Sequence, residues 1–473
     1  EFQDTSASQV RLLDQLTAGW SYEDGRTIFL VGDPMQSIYR FRKAEVSLFI
    51  KAWNGGLFDH IELIPLRLCV NFRSTQPIVD WVNRVFPVVM PTLNDPVMGA
   101  VSYSSADTKP GVSNKGLVHV DVFPQLDNTL EAKRIIEVID AAHNEETIAI
   151  LVRSRSHASA ILAELDKIKT SRERFRYQAI KLTCLAETSL IQDLVSLTLA
   201  LIQPADRLAW LATLRSPYIG LDLGDLDSLV AGNAADIILD GIRAAIETDE
   251  PASLTESALQ RLNRTGPILL NAVNQRGRQA VRSVVETAWV KLGGPACVDN
   301  DSELLDASAY FDLLDTLENE NLPIDRDTLD LRLDELYAEP DAHASGKLQI
   351  LTMHAAKGLQ FDTVILPGLN KGPGGTDSKL LHWFELVDQQ QIVMAPMRNS
   401  AEKEKFKKEG DLIKFVSGIE KQRQKLEDGR LLYVAATRAR QKLFLFAAIK
   451  PNNDGDIKAN GRSLMGSLWP AVE

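Results

Sequence analysis

The stretch LVHVDVFPQLDNTLEAKRIIEVIDAAHNEETIAILVRS, residues 117–154, decides the predicted fold. Its two ends, 117–123 and 147–154, are short apolar runs of strand length, and residues 129–143 between them have helical spacing. A strand, a helix and a second strand in this order are typical of a parallel β-sheet with helices on its faces. The sequence therefore predicts an α/β fold.

The same sheet is predicted to be interrupted and then to resume. Between about 188 and 345 the segments have helical spacing without strand patterns, which indicates a mainly helical insertion whose acidic portion, 299–341, is a solvated surface. Strand patterns return at 347–354, 363–369 and 442–448. We expect these strands to complete the sheet that begins before the insertion.

A further α/β portion is expected at the start of the chain. The apolar runs 26–33 and 61–68 are typical of buried strands, and residues 45–53 and 76–86 have helical spacing. The segment 96–116 is rich in Ser, Gly and Pro, which predicts a loop.

Composition constrains the function only weakly. The chain has 473 residues, 45% of them hydrophobic and 25% charged, and its formal net charge is −12, so a groove for DNA would have to be locally basic. Apolar runs are too short for a membrane span. Three scattered cysteines favour a reducing cytoplasm over a zinc, iron–sulfur or disulfide site. We expect a cytoplasmic protein that has no resident metal cluster.

The first motif is EFQDTS, residues 1–6, with acidic side chains where a strand would end. In P-loop ATPases an Asp–Glu pair stands at such a position, where the Asp holds magnesium and the Glu orients the attacking water. Here no Asp precedes Glu1, and an exposed polar turn is the alternative. Because the chain starts without Met directly on this motif, we expect a fragment of a longer protein.

The second motif is VGDPMQSIYRFRKAE, residues 31–45. After a strand-like end, Gln36 stands where it could report on a bound phosphate, and aromatic residues then alternate with cations. Such alternation suits stacking on bases and pairing with phosphates. An ordinary loop with core aromatics is the alternative.

Two further motifs combine cations with groups that can face a nucleotide or DNA. In CVNFRS, residues 69–74, Arg73 offers a planar fork for a phosphate and Phe72 could lie flat on a purine. In LQILTMHAAKGLQFDTVILPGL, residues 348–369, a Thr/His/Lys/Gly loop joins two strands, and its Lys357 and Gly358 permit close backbone approach and charge pairing. A structural role is the equal alternative for His354.

The fifth motif is EDGRLLYVAATRARQKLFLF, residues 427–446, in which Thr437, Arg438 and Arg440 precede a strand. An Arg supplied across a cleft can stabilise charge on a γ-phosphate in the transition state. A plain surface position is the alternative for Arg440.

In this order the five strings resemble motifs II, III, IV, V and VI of the UvrD/Rep family of superfamily-one helicases. The resemblance spans nearly the whole chain, although the helical insertion carries little of it. Three stretches are most similar to the RecB/AddA-type exonuclease helicases: QSIYRFRKAEV (36–46), residues 191–221 and LYVAATRAR (432–440). The resemblance implies RecA-like P-loop NTPase domains that close around ATP and move 3′-to-5′ on DNA in repair and recombination.

The resemblance also implies domain boundaries. Residues 1–67 would be a remnant of the first RecA-like domain with motifs II and III, and 68–187 would be the first part of the second with motif IV. A helical insertion domain would span 188–345. The second RecA-like domain would resume at 346–450 with motifs V and VI, followed by a polar tail at 451–473.

Roles follow from the motif positions that single residues match. Glu1 would position the attacking water and Gln36 would sense the γ-phosphate, which Arg73 and Arg438 would contact from the far side of the cleft. The residues expected at the ATP site are Asp4, which lies in the same motif as Glu1, Phe72 against adenine and Gln360 towards the ribose. The residues expected along single-stranded DNA are Tyr39, Phe41, Arg42, Thr352 and His354.

Three features depart from the family pattern. No G-x-x-x-x-G-K-[ST] phosphate loop occurs in the sequence, so we expect weak or no binding of ATP and Mg²⁺ by this chain alone. Lys43 stands where relatives usually have Gly, and Gln360 where they usually have Glu. A nuclease carboxylate cluster is not visible, so a nuclease domain would lie outside these residues.

The leading hypothesis is therefore an ATP-dependent DNA helicase. Its expected substrate is single-stranded DNA or DNA with a single-stranded end, and a second subunit of a helicase–nuclease complex is a candidate partner. Two alternatives stay open: an ATPase-inactive DNA- or partner-binding module, and a P-loop ATPase that is not a helicase. ATP turnover separates the first alternative from the hypothesis, and binding of single-stranded DNA separates the second.

Overall fold

The computed structural model describes residues 1–21, 24–124, 128–169, 172–230, 237–247, 254–298, 300–341, 343–373, 381–386, 391–396, 412–452 and 455–472. The chain folds as two compact units, Glu1–Arg176 with Ser345–Glu473, and Tyr177–Ala344. Among the helices that the structure describes, we find none that is both long and apolar enough to cross a lipid bilayer.

The strands are short and concentrate in two stretches of the chain. They are β1 Val70–Asn71, β2 Asp107–Thr108, β3 Leu117–Phe123, β4 Ile148–Val152, β5 Gln178–Ile180, β6 Leu348–Thr352, β7 Phe361–Leu366, β8 Leu381–Leu386, β9 Gln391–Pro396 and β10 Ala439–Ala448.

The helices before residue 177 are α1 Ala7–Thr17, α2 Val46–Trp53, α3 Gln76–Val89, α4 Asn128–Ala141 and α5 Ser159–Ile168. Those between 177 and 344 are α6 Ser189–Ile202, α7 Arg207–Arg215, α8 Leu223–Val230, α9 Ile238–Glu247, α10 Glu256–Asn274, α11 Val281–Leu292, α12 Asp301–Asn319 and α13 Arg326–Leu333. The last two are α14 Leu412–Ala436 and α15 Leu464–Val472.

The first unit is built on a parallel sheet in which β3, β10, β7, β4 and β6 lie side by side in that order. All five residues of β4 are buried, as expected for a strand whose two faces are both covered. The strand β10 pairs with β3 on one side and β7 on the other, although the second unit lies between β3 and the other two strands in sequence. The predicted α/β class with a parallel sheet is confirmed.

The strands predicted at 26–33 and 61–68 are wrong. Neither run forms a strand in the part of the chain that the structure describes, and Phe29 and Leu68 are 81% and 96% exposed. In the first run, Val31 O accepts a backbone hydrogen bond from Phe2 N–H at 2.7 Å. An apolar run forms a β-strand only when its backbone hydrogen-bonds to an adjacent strand. A local sequence pattern does not show whether such a strand is present.

The second unit has a helical core of its own. Trp210 and Tyr310 are fully buried in it, and the hydroxyl groups of Tyr310 and Thr198 lie 2.7 Å apart. This helical content agrees with the spacing predicted for residues 188–345. The boundaries drawn for the RecA-like domains stay a prediction. Lys and Glu alternate over residues 401–425, a composition that predicts an exposed helix; residues 401–411 lie outside the described residues, and 412–425 belong to α14.

Candidate functional site

Gln36 lies in a short helical turn, Pro34–Gln36, that Asp33 caps. The Asp33 carboxylate accepts hydrogen bonds from Met35 N–H at 2.9 Å and from the Gln36 side-chain amide at 2.7 Å. Burial raises the pKa of Asp33, and the Gln36 amide opposes that rise. The amide oxygen of Gln36 remains free to accept a bond from Arg438 Nη2 at 3.3 Å. The turn therefore holds Gln36 in one orientation.

Arg438 lies between the end of α14 and the start of β10 and is 1% exposed. Its guanidinium donates to Val434 O at 2.9 Å and Leu359 O at 3.2 Å, in addition to Gln36. Burial lowers the pKa of Arg438 to about 10, so the group stays charged at neutral pH. A buried cation is therefore fixed by neutral oxygens.

Arg73 approaches the same point from the segment after β1. Its Nη1 donates to Thr437 O at 3.1 Å and its Nε to the Gln360 side chain at 3.2 Å. The next residue, Ser74, donates to Ala439 O at 2.7 Å, which ties this segment to the start of β10. We call Gln36, Arg73 and Arg438 the arginine cluster.

The arginine cluster carries positive charge without a carboxylate partner in the described part of the chain. Burial lowers the pKa of the Arg73 guanidinium, and burial together with the charge of Arg73 lowers the pKa of Arg438, although the Asp33 and Glu1 carboxylates oppose that shift. Two guanidinium forks beside an amide form a donor set that suits phosphate oxygens.

Lys357 connects the arginine cluster with the first motif. Its side chain is 4% exposed, and its ammonium contacts the Asp4 carboxylate, donates to Gln36 O at 2.9 Å and lies 3.5 Å from a Glu1 oxygen. Burial raises the pKa of Asp4, and Lys357 opposes the rise. Sequence reasoning singled out Lys357 for charge pairing but left it out of the predicted site. The sequence signal for Lys357 is the glycine that follows it, and the structure places Gly358 in the left-handed region at φ +86°.

The carboxylates of Glu1 and Asp4 are hard oxygen donors of the kind that Mg²⁺ prefers. One buried oxygen of Asp4 has no hydrogen-bond partner, and Glu1 is 64% exposed, so both can reach a ligand. Among described residues no group of three or more His, Cys, Asp or Glu is arranged to hold a metal. These two carboxylates fit a magnesium ion that takes its other ligands from phosphates and water.

An aromatic–cation surface, which we define as Tyr39, Phe41, Arg42 and His354, lies beside Lys357. The Phe41 ring meets the His354 ring edge-on at 5.6 Å, and the Arg42 guanidinium lies 5.3 Å from the Tyr39 ring and 5.6 Å from the Phe41 ring. Phe41 is 65% exposed. The Tyr39 hydroxyl donates to His354 O at 3.3 Å. The second and fourth motifs therefore share one surface.

The aromatic–cation surface is anchored to α14. Arg40 donates to the Glu427 carboxylate through its backbone N–H at 3.1 Å and its Nε at 3.4 Å, and Arg430 donates to Ser37 O at 2.7 Å. Lys357 links this surface to the acidic residues, because its ammonium lies 4.9 Å from the Tyr39 ring centre. A shift of Glu1 or Asp4 can therefore reach the surface through the Lys357 side chain.

The remaining predicted residues lie at the margins. Phe72 is 74% exposed, with the Lys109 ammonium 5.8 Å from its ring. Thr352 ends β6 and accepts a hydrogen bond from Ala355 N–H at 3.3 Å, so it shapes the loop that carries His354. Gln360 contacts Arg73. The roles assigned to all these residues stay predictions.

Comparison with known proteins places the whole site inside two matched regions. The model of the UvrD-like helicase C-terminal domain matches residues 66–259 and 303–450, and that of the UvrD/REP helicase N-terminal domain matches residues 1–54. The C-terminal domain match includes Arg73, Arg438 and the loop that carries Lys357. The N-terminal domain match includes residues Glu1 to Lys43.

Curated relatives match nearly the whole chain. An ATP-dependent helicase/nuclease subunit of Exiguobacterium sibiricum is 28% identical over 100% of this chain and 41% of its own length. The protein of the same name from Lactobacillus helveticus is 25% identical over 96% of this chain and 39% of its own. Exonuclease/helicase subunit RexA of Lactococcus lactis subsp. cremoris is 26% identical over 97% and 40%.

The chain thus spans about two fifths of the length of these relatives. The motif order, the parallel sheet and the two family matches agree, and the larger match covers well over half of the residues. This chain belongs to the UvrD-like helicase family.

Proposed function

We propose that this chain is part of an ATP-dependent DNA helicase that moves 3′-to-5′ and acts in DNA repair and recombination in the cytoplasm. The arginine cluster is the observation that carries the proposal. Arg73 and Arg438 are held within reach of Thr437 and Gln36 and lack a carboxylate partner among the described residues. One buried and one partly exposed guanidinium group held this close together are stabilised when an anion compensates their charge.

The proposed anion is the triphosphate of ATP. Arg73 and Arg438 would hold the γ-phosphate through charge-assisted hydrogen bonds, and Gln36 would share Arg438 with it. Glu1 would orient the attacking water, while Glu1 and Asp4 would hold the magnesium ion, which neutralises phosphate charge when bound. Phe72 would stack on adenine, and Gln360, already bonded to Arg73, would turn towards the ribose.

The proposed DNA contact is the aromatic–cation surface, with Thr352 shaping the adjoining loop. Exposed aromatic rings stack on bases of any sequence, and Arg42 supplies positive charge for the backbone. Lys357 would transmit the state of the nucleotide, because its ammonium contacts Asp4 and Gln36 and lies against Tyr39. The relatives are named as subunits, so a second subunit of a helicase–nuclease complex is a proposed partner.

The test measures unwinding by the natural gene product that contains these residues. Duplex DNA with a 3′ single-stranded tail should be separated in the presence of ATP and Mg²⁺, whereas a matched 5′-tailed duplex should not. An Arg73→Ala variant should lose ATP-dependent unwinding and retain binding of single-stranded DNA. Equal unwinding of both substrates, or normal unwinding by Arg73→Ala, would contradict the proposal.

A second candidate is a DNA- or partner-binding module without ATPase activity. It is favoured by the lack of a G-x-x-x-x-G-K-[ST] loop in these 473 residues, since that loop cradles the phosphates in P-loop proteins. We expect the 473-residue chain alone to show no ATP turnover. Robust turnover with Mg²⁺ and single-stranded DNA would contradict this expectation. Lack of turnover by the natural gene product would favour the binding module.

A further inference from the structure

The antiparallel hairpin β8–β9 presents two different faces. On the inner face, Val393 and Ala395 pack with Val416 of α14, and Ala395 and Val416 are buried. On the outer face, Trp383 pairs across the strands with Met394. Side chains alternate between the faces of a strand, so one packed face leaves the other open.

The outer face is apolar and exposed. Met394 and Ile392 are 56% and 57% exposed, and Leu381 and Trp383 are 42% and 39% exposed. An exposed apolar patch that includes an aromatic ring marks a binding surface more often than a random surface region.

The outer face of the hairpin continues the aromatic–cation surface. The Lys43 ammonium lies 3.7 Å from the centre of the Trp383 ring, and Lys43 directly follows the turn that carries Phe41 and Arg42. Cations and rings therefore alternate from Tyr39 to Trp383. This alternation is what a single strand requires, with rings for bases and cations for phosphates.

Lys43 adopts a backbone conformation that favours glycine. Its φ is +66°, in the left-handed region where a Cβ atom is crowded. Glycine would relieve this crowding, and a lysine kept in such a conformation points to a use for its side chain. The only ring that the described contacts give its ammonium is that of Trp383.

We propose that the outer face of the β8–β9 hairpin, formed by Leu381, Trp383, Ile392 and Met394, binds unstacked bases of single-stranded DNA. Trp383 is the stacking residue, and Lys43 orients its ring and contacts a neighbouring phosphate. The inference rests on the proposed DNA contact of the aromatic–cation surface and extends that contact to a second element. In this proposal the single-stranded DNA passes from Phe41 across Lys43 onto the β8–β9 hairpin.

The experiment uses the natural gene product with an oligo-dT strand and an abasic strand of equal length. Trp383→Ala should weaken oligo-dT binding about tenfold, because a stacked base is lost, and leave abasic binding within about twofold. Lys43→Gly should weaken both strands and reduce the slope of log affinity against log salt by about 0.7, the value for one phosphate contact on a single strand. Trp383→Ala should leave that slope unchanged.

A direct readout and a matched control accompany these measurements. Oligo-dT carrying 5-iododeoxyuridine should crosslink under light to the peptide with Trp383, as mapped by mass spectrometry. Leu12→Ala, a truncation of an exposed apolar residue on α1, should change neither affinity. Circular dichroism melting checks that each variant folds, and Ile392→Ser serves as a second variant of the hairpin face.

The outcomes separate this inference from the proposed function. If Phe41→Ala weakens oligo-dT binding while Trp383→Ala and Ile392→Ser do not, the hairpin proposal is overturned and the proposed function stands. If the unaltered protein does not bind single-stranded DNA, the proposed function fails and the hairpin proposal fails with it. A change confined to self-association or subunit binding in Trp383→Ala would identify the face as a protein interface and overturn the proposal.

Discussion

The arginine cluster and the aromatic–cation surface lie in the same unit, and Lys357 touches both, yet they are built in opposite ways. Arg438 is 1% exposed and two backbone carbonyl oxygens hold its guanidinium, whereas Phe41 is 65% exposed and contacts the Tyr39 and His354 rings and the Arg42 guanidinium. A small anion gains most from donors that are fixed before it binds. A polymer that must slide needs an open surface on which one base can replace the next.

The strongest test of the buried side is Arg438→Ala in the natural gene product. Because Arg438 is proposed to stabilise charge on the γ-phosphate, its loss should reduce the ATPase rate constant about 10³-fold or more. Arg440→Ala is the matched control, since Arg440 is about half exposed and pairs with Asp362 at 3.4 Å. Steady-state ATPase assays with single-stranded DNA distinguish the two. Near-normal ATP turnover by Arg438→Ala would contradict the proposed role of the arginine cluster in binding the γ-phosphate.

The connection between the two regions is tested by Lys357→Met. Removing the buried ammonium leaves Asp4 without its partner, which should lower the free energy of unfolding by about 3 kcal/mol. DNA should also no longer stimulate ATP hydrolysis. Lys347→Met is the matched control, because its ammonium pairs with an exposed Glu145 and should matter by less than about 0.5 kcal/mol. Equal urea denaturation curves for both variants would show that Lys357 carries no such connection.

The open side is tested by Phe41→Ala. Loss of one stacking ring should weaken binding of single-stranded DNA about tenfold, while ATP turnover without DNA stays within about twofold. Fluorescence anisotropy and DNA-free ATPase assays measure the two quantities separately. A parallel loss of both activities would mean that Phe41 supports the fold of the cluster and that the two regions are not distinct.

The smallest expected effect concerns the pH dependence of His354. Burial lowers the pKa of His354 below its usual 6.5; the nearby Glu427 carboxylate opposes this shift and Arg153 reinforces it. As the pH drops below 6.5, His354 becomes protonated in the unfolded chain before it does so in the folded chain. The free energy of unfolding therefore falls over this pH range. His354→Asn should flatten this part of the profile. An identical decline in the variant, followed by chemical denaturation at several pH values, would assign it to other groups.

The contrast between the regions also explains how far sequence analysis reached. The α/β class and the order of motifs follow from patterns that stand close together in the chain, such as the strand runs around β4 and the string that contains Gln36. The convergence of Arg73 and Arg438 was implied by family resemblance alone. Their hydrogen bonds to Gln360, Leu359 and Val434 depend on which backbone and side-chain oxygens the fold brings near.

Sequence alone determined the parallel α/β architecture, the helical insertion and the residue types of both regions, because periodicity and motif spacing are local properties. Only the tertiary structure decided that the runs at 26–33 and 61–68 lack strand partners among the described residues, since pairing depends on distant segments. It also decided that Lys357 is buried between Asp4 and Gln36, and that Lys43 takes a left-handed conformation against Trp383. The surroundings of Lys357 and the backbone conformation of Lys43 depend on which distant residues the fold brings near. Residue order alone does not show those neighbours.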